Sequence, residues 1–553
     1  MFIANTNHQE NLLSYWEDLL NPKQFALLKK SKGYQFYKLV FQHIQEEDFR
    51  GLYSEKLSAP NSPVNCLVGA MILCQLRNWS HEELENQIAF NIETKLALGL
   101  KDIESIPFSM RTFYNFMIRL SDYEEREKIN LIEHVFLNLT KKQTKALGIK
   151  TTIQRGDSVL LESGIKSYSR LALLVEVLRR LYSILKEKDQ KKYQLLFQNY
   201  QLGGERFVYR IPSSEREIEM NNLAIAYFTA FNGLQETYGH HPTFQLFERV
   251  YQEHFKREED GDKVIIELRP TEELSSGMLQ SPDDLDATFR SKRKEKHHGF
   301  VALGIETCHP ANEVNLVTTL AVDKNNVDDS VLLENKLEQL TEQCPDVNEV
   351  HLDAGFGSEE NDAKAKKEKI KIIQSAVRGR IAKVPISVKG NEKKGFMIDC
   401  PNPKHPTIHA SKSRKNYKAA FDLTICNQCP FQLDCPTSKH KSEAKQTASF
   451  YFPATLALMQ KRHKAIDTIP KKRRTIRAGV EGLMGLMHRG ERHTGKLKVK
   501  GLFKCKLYVF SMGIAINFKR IYSWLFPKYG NSFAFFAVLS TYLLTKPLSM
   551  KKC

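Results

Sequence analysis

The stretch that most restricts the fold is Val347 to Gly357, VNEVHLDAGFG. Val350 and Leu352 alternate onto one face of a short buried strand, which ends at Asp353 and breaks at once into a glycine-bearing turn. A carboxylate at the carboxyl end of a sheet strand, beside backbone that allows close approach, is where α/β folds place chemistry. Alone, such an aspartate more often just opens a turn. Its weight comes from acidic residues far away in the chain.

A length of 553 residues is too great for one simple core, so a main domain with insertions or attached domains is expected. Lys and Arg number 82 against 64 Asp and Glu, a net charge of +18 that points to a polyanionic partner, most often nucleic acid. MFIANTNHQENLL lacks the basic start and apolar run of a signal peptide. Ser532 to Thr545 is too short for the roughly 20 residues of a spanning helix and reads as a packed or loosely attached carboxyl-terminal helix, so no membrane partner is expected. The cysteines are scattered except for one cluster, which fits a reduced, cytoplasmic chain.

Residues 1–145 read as helical: an apolar run from Pro63 to Leu76, a capping box at Ser80 to Glu83, and a helix with Phe113, Phe116 and Leu120 on one face. Lys150 to Leu161 is strand-like with Asp157 near its middle. A helical region follows from Ser169 to about Phe255, opening on the stripe Leu171, Leu174, Leu178, Leu181 and Leu185. Phe300 to Cys308 and Val314 to Val322 read as a hairpin. Asp328 to Ser330 caps a helix bearing Leu333, Leu337 and Leu340, which leads into the strand ending at Asp353. Further on come a lysine-rich helix from Lys364 to Lys371, a strand KIIQSAV, an irregular basic segment from about Ile381 to Lys464, a helix from Lys471, and a long apolar helix from Gly501 to Leu525. The fold class expected is multidomain α/β. The domain plan is a helical domain at 1–145, a core from 146–165, 297–380 and 466–525, a helical insertion at 166–296, a basic cysteine-rich insertion at 381–465, and a tail at 526–553.

Asp157, Asp353 and Glu481 form the constellation expected to carry chemistry. Carboxylates on neighbouring strands, about 4.8 Å apart, can bracket two divalent ions such as Mg²⁺. A third on a packed helix would close the site. Lys471, Lys472, Arg473, Arg474 and Arg477 precede Glu481, and His488 and Arg489 follow it, so a phosphate held by Arg477 would lie beside the metal carboxylate. Cys426 and Cys429 have metal-clip spacing, Cys435 lies six further on, and Cys400 completes four thiolates for a closed structural zinc site. His405 and His409 are substitute ligands. Glu162 is a minor metal candidate and more often a solvated acid. Asp283, Asp284 and Asp286 read as a self-paired surface loop, and Cys505 and Cys553 have no assigned role.

These segments together resemble the DDE transposases of bacterial insertion sequences, in the branch that places an InsH-type helical domain before an RNase H-like catalytic domain. PVNCLVGAMILCQLRNWSHEELENQIAFNIETKLALGL with PFSMRTFYNFMIRL is similar to that first domain. QRGDSVLLESGIKSYSRLALLVEVLRRL, LQSPDDLDATFRSKR, VHLDAGFGS and RAGVEGLMGLMHR follow in the family's order over roughly residues 60 to 525. The resemblance implies that Asp157, Asp353 and Glu481 are a catalytic triad binding two divalent cations, Mg or Mn, for cleavage and strand transfer at element ends. It implies double-stranded DNA partners, namely terminal inverted repeats and target, contacted by Arg474, Arg477, His488 and Arg489, and a homodimer or higher oligomer near the nucleoid. The family signature Tyr-x2-Arg-x3-Glu-x6-Lys is met at Arg477 and Glu481, while Arg474 stands at the tyrosine position and His488 at the lysine position. A non-catalytic DNA-binding relic of such an enzyme is the rival expectation.

Overall fold

A computed structural model describes residues 1–9, 11–56, 59–260, 263–375, 382–439, 446–488, 491 and 493–529. The chain is mixed α/β with a helical amino-terminal region, and it divides into two compact units. Among the described residues no helix is long and apolar enough to cross a membrane. Ser532 to Thr545, Arg378 to Arg380, Arg489 and Cys553 lie outside the described residues.

The first unit comprises Met1–Lys150, Ser158–Asp328 and Gly482–Cys553. Its helix Val64–Arg77 is buried continuously from Val64 to Cys74 and stops at Asn78, whose φ of 58° places it in the left-handed region. Ser80 then accepts from the Glu83 N–H and opens the helix His81–Phe90, as the capping pattern predicts. Met110–Glu127 buries Phe113, Phe116 and Leu120, the face read from the sequence. The last helix, Leu502–Tyr529, packs on this helical region, with Phe36 edge-on to Phe518 at 5.4 Å. Asn517 on that helix is 1 % exposed, and its amide pairs with both the N–H and the C=O of Val317, at 2.8 and 2.9 Å. Val317 begins the strand Val317–Lys324, which runs antiparallel to Glu295–Thr307 as the expected hairpin.

The same unit holds the helical region Arg170–His254 around a core of its own. All five leucines of the predicted stripe are buried there, and Tyr227 stacks on Phe247 at 4.8 Å while donating to the Leu174 carbonyl. The acidic loop is not the self-paired surface feature expected. Asp284 is 3 % exposed and accepts from the Ser163 hydroxyl and the Gly501 N–H, while Asp286 accepts from the Leu502 N–H. These carboxylates satisfy orphan donors at the start of the last helix. Glu162 is likewise engaged, accepting from the His298 N–H with His297 Nδ1 at 2.7 Å.

Buried histidines make this unit sensitive to acid. Burial pulls His8 and His43 down to about 4, and His254, faced by Arg170, to about 3. The folded state therefore holds each neutral, whereas the unfolded chain protonates near pH 6.5, so stability is intact above that value and falls as pH drops toward the folded values. For His43 and His254 the loss reaches about 2 kcal/mol apiece by pH 5. Urea unfolding from pH 7.5 to 5 should show this slope, and His254→Gln should flatten it by its own share.

The second unit comprises Thr151–Asp157 and Asp329–Glu481. Ile153, Gln154 and Arg155 pair in parallel with Glu349, Val350 and His351, and the strand Glu349–Leu352 pairs in parallel with Lys371–Gln374. The helix expected after Asp328 is two short ones, Asp329–Glu334 and Leu337–Gln343. The lysine-rich helix runs Glu359–Lys367, earlier than its lysines imply, because Ser358 accepts from the Asn361 N–H and fixes its start. Residues beyond 381 are not irregular. Ser387–Asn391, Gly395–Asp399 and Ile408–His409 form one sheet, and Ser411–Ser413, Asn416–Asp422, Thr447–Phe452 and Ser438–Lys439 form another. Phe396, Ile398, Ala419, Phe421, Phe450 and Phe452 make their common core. The strands are short, two to seven residues each, and their outward positions mix glycine, methionine, alanine and aspartate with a few lysines, which hides the alternation from a composition-led reading.

Candidate active site

The site lies within the second unit. Because Arg155 stands opposite His351 in a parallel pair, Asp157 and Asp353 come two residues further along adjacent chain segments. Side chains two apart on a strand share a face, so Glu349, His351 and Asp353 line one side while Val350 and Leu352 bury themselves on the other. Asp353 ends the strand and accepts from the Gly355 N–H at 2.6 Å, closing the turn that the glycines predict.

Over this charged face runs the segment that carries Glu481. It is not the single helix expected from Lys471: Lys471–Arg474 is one helical turn, Ile476–Val480 is a 3-10 turn, and Glu481–Met487 is a separate helix. Its arginines make the links. Arg473 bonds both oxygens of the buried Glu349 carboxylate, and Glu349 Oε1 also meets His351 Nε2. Arg477 Nη2 donates to Asp157 Oδ2 at 2.8 Å and lies 4.0 Å from Asp353 Oδ2. One guanidinium therefore stands between the two aspartates. Arg155 Nη1 donates to the Ile476 carbonyl and lies against the bare Cα of Gly479, where a Cβ would sit 1.9 Å from that nitrogen. Both contacts fall on the 3-10 turn Ile476–Val480.

Asp157 and Asp353 are thus brought together, at 16 % and 37 % side-chain exposure. Glu481 is exposed at the start of its helix and forms no hydrogen bond or ion pair with a described residue. Arg474 folds back onto the Ile469 carbonyl. His488 pairs with Glu491 at 2.7 Å, a hydrogen bond that raises its pKa. Glu349 and His351 are structural partners that the sequence reading passed over, although the alternation Glu-x-His-x-Asp was visible, and Arg473, read there only as one of the cations before Glu481, is tied to Glu349. Burial lowers the His351 pKa, while its contact with Glu349 opposes that shift.

Cys400, Cys426, Cys429 and Cys435 line one cavity of about 20 Å³ together with His405 and Phe421. His405 Nε2 lies 3.4 Å from Cys426 Sγ, while His409 is exposed on the short strand Ile408–His409. Burial pushes the Cys400 thiol up, and the neighbouring Cys429 and Cys435 act in the same direction. Among the described residues, no group of three or more His, Cys, Asp or Glu side chains stands in a ready-made metal-holding arrangement, either here or at the aspartates.

Two family models match the sequence. One, described as a transposase DDE domain, covers residues 399–522 and so includes Arg477, Glu481 and the cysteine cluster. The other, described as a transposase domain (DUF772), covers residues 25–119 in the helical amino-terminal region. No curated protein and no solved structure matches.

Proposed function

From a chain whose two domain matches make it a DDE transposase of the insertion-sequence type, we infer that it binds the terminal inverted repeats of its own element, cuts the DNA there and joins the 3′-ends to target DNA. The observation that carries this reading is the meeting of Asp157 and Asp353 at one cation, Arg477. Two carboxylates converging on a positive charge make a donor set suited to hard, oxygen-ligated ions. The Arg477 Nε is buried without a hydrogen-bond partner, so the guanidinium is not locked into that position by a full set of bonds.

Asp157, Asp353 and Glu481 would hold two Mg²⁺ or Mn²⁺ ions. When bound, such ions activate a water or a 3′-hydroxyl and stabilise the leaving oxygen of a phosphodiester. Asp157 and Asp353 supply the fixed side of the site from two parallel-paired strands, as an RNase H-like core would place them. Glu481 supplies the third carboxylate from a segment that Arg473 ties to the buried Glu349. Arg477 balances the aspartates and is placed to pass to a DNA phosphate, the role that Arg474, His488 and Arg489 would share along the strand. The net charge of +18 favours the duplex as partner and makes its binding fall steeply with salt. Two ends must be paired for joining, which calls for a homodimer or larger assembly.

The test is a joining assay with a labelled duplex ending in the element's own repeat and an unlabelled target plasmid. Label in the plasmid supports the reading. Cleavage without joining reduces it to a metal-dependent nuclease, and repeat binding without cleavage leaves a DNA-binding relic.

A further inference from the structure

The cysteine cluster is not among the groups assigned to the strand chemistry, and its residues gather at one cavity. Four separate stretches deliver its donors: Cys400 directly after the strand Gly395–Asp399, His405 from the following turn, Cys426 and Cys429 around the end of the short helix Leu423–Asn427, and Cys435 beyond. The Cys429 N–H donates to the Cys426 carbonyl at 3.2 Å, closing a turn, and both residues line the same cavity. All four cysteines line a cavity of about 20 Å³, room for one ion or one water.

We propose that Cys400, Cys426, Cys429 and Cys435 bind one zinc ion as a closed structural tetrathiolate, and that His405 serves it from outside by donating to the Cys426 sulfur. Zinc takes four thiolates tetrahedrally, so five candidate donors leave one over. His405 is the one left over. Its Nε2 faces Cys426 Sγ at 3.4 Å, and its ring is held edge-on against Phe421 at 5.1 Å, a core residue of the adjoining sheets. A hydrogen bond to a ligating sulfur is the kind of outer contact that sets ligand orientation and metal affinity. The charge also balances: a tetrathiolate with one zinc carries two negative charges, and Lys404, Lys412, Arg414, Lys415 and Lys418 lie in the same segment.

The bound ion would tie the loop carrying Cys400 to the turns carrying Cys426, Cys429 and Cys435. It would thereby brace two small sheets whose shared core is modest. This assignment goes beyond the transposase reading and is read without DNA, so either can fail alone.

The experiment measures zinc in the full-length chain, purified from zinc-supplemented medium and again after stripping and reloading with zinc alone. The natural chain should hold one zinc per chain, and Cys429→Ser should hold none that survives a chromophoric chelator. His405→Ala should keep one zinc but give it up to the chelator about 10- to 100-fold more readily. Stripping the natural chain should open residues 399–439 to limited proteolysis, and reloading should close them. A natural chain that binds no stoichiometric zinc, or whose thiols are found as disulfides by mass, overturns the proposal. Complete loss of zinc in His405→Ala overturns the assigned donor set, since the histidine would then be a ligand.

Discussion

Asp353→Asn is expected to lower DNA cleavage by about a thousandfold while leaving repeat binding and thermal stability nearly unchanged. The substitution keeps an oxygen that can accept from the Gly355 N–H, so the turn after the strand survives. It removes a negative charge that is 37 % exposed and 4.0 Å from Arg477, an interaction worth little to folding in that solvent-screened position. It also removes the anionic oxygen that a hard cation requires. Losing a ligand's share of metal stabilisation costs several kcal/mol in the transition state, and each 1.36 kcal/mol is tenfold in rate. Binding by gel shift, melting temperature and cleavage rate, measured on the same preparation, check this. A parallel fall in all three would mean that Asp353 is only a structural cap.

Asn517→Ala should act the opposite way, on stability first. The Asn517 amide meets the N–H and C=O of Val317 as a neighbouring strand residue would, and also donates to the Thr140 hydroxyl at 3.1 Å. The residue is 1 % exposed, so water does not replace it readily. Alanine leaves a buried backbone donor and acceptor unpaired, at about 3 kcal/mol in total. The drop in the urea midpoint at constant slope measures it. A loss below about 1 kcal/mol would show that the Val317 groups find other partners.

Much of this architecture is legible where one physical signal dominates. The stripe from Leu171 to Leu185 has one period and one buried face, and the structure buries every member. The strand before Asp353 is flagged by Val350 and Leu352 and closed by a turn that needs glycine. Where tertiary contacts decide, the signal fails. The break at Ile476–Val480 arises because Arg155 and Asp157, more than 300 residues away in sequence, hold that turn through the Ile476 carbonyl and Arg477. The sheets after residue 387 are built of strands of two to seven residues, too short to display a clear alternation, and Asp284 read as part of a surface loop because its partners, Ser163 and Gly501, are remote in the chain. At the site itself the aspartates were readable as strand-borne acids. Their meeting at Arg477, and the support of Glu349 by Arg473, depend on register between distant strands and are visible only in three dimensions.

Glu481 is exposed and makes no hydrogen bond or ion pair with a described residue, whereas Asp157 and Asp353 both approach Arg477. The decisive measurement is Mg²⁺-dependent cleavage of a duplex carrying the element's own end, comparing the natural chain with Glu481→Gln at matched DNA occupancy. The natural chain should cleave and the variant should lose about a thousandfold in rate, with binding retained. Equal cleavage by both would remove Glu481 from the site and contradict a three-carboxylate mechanism.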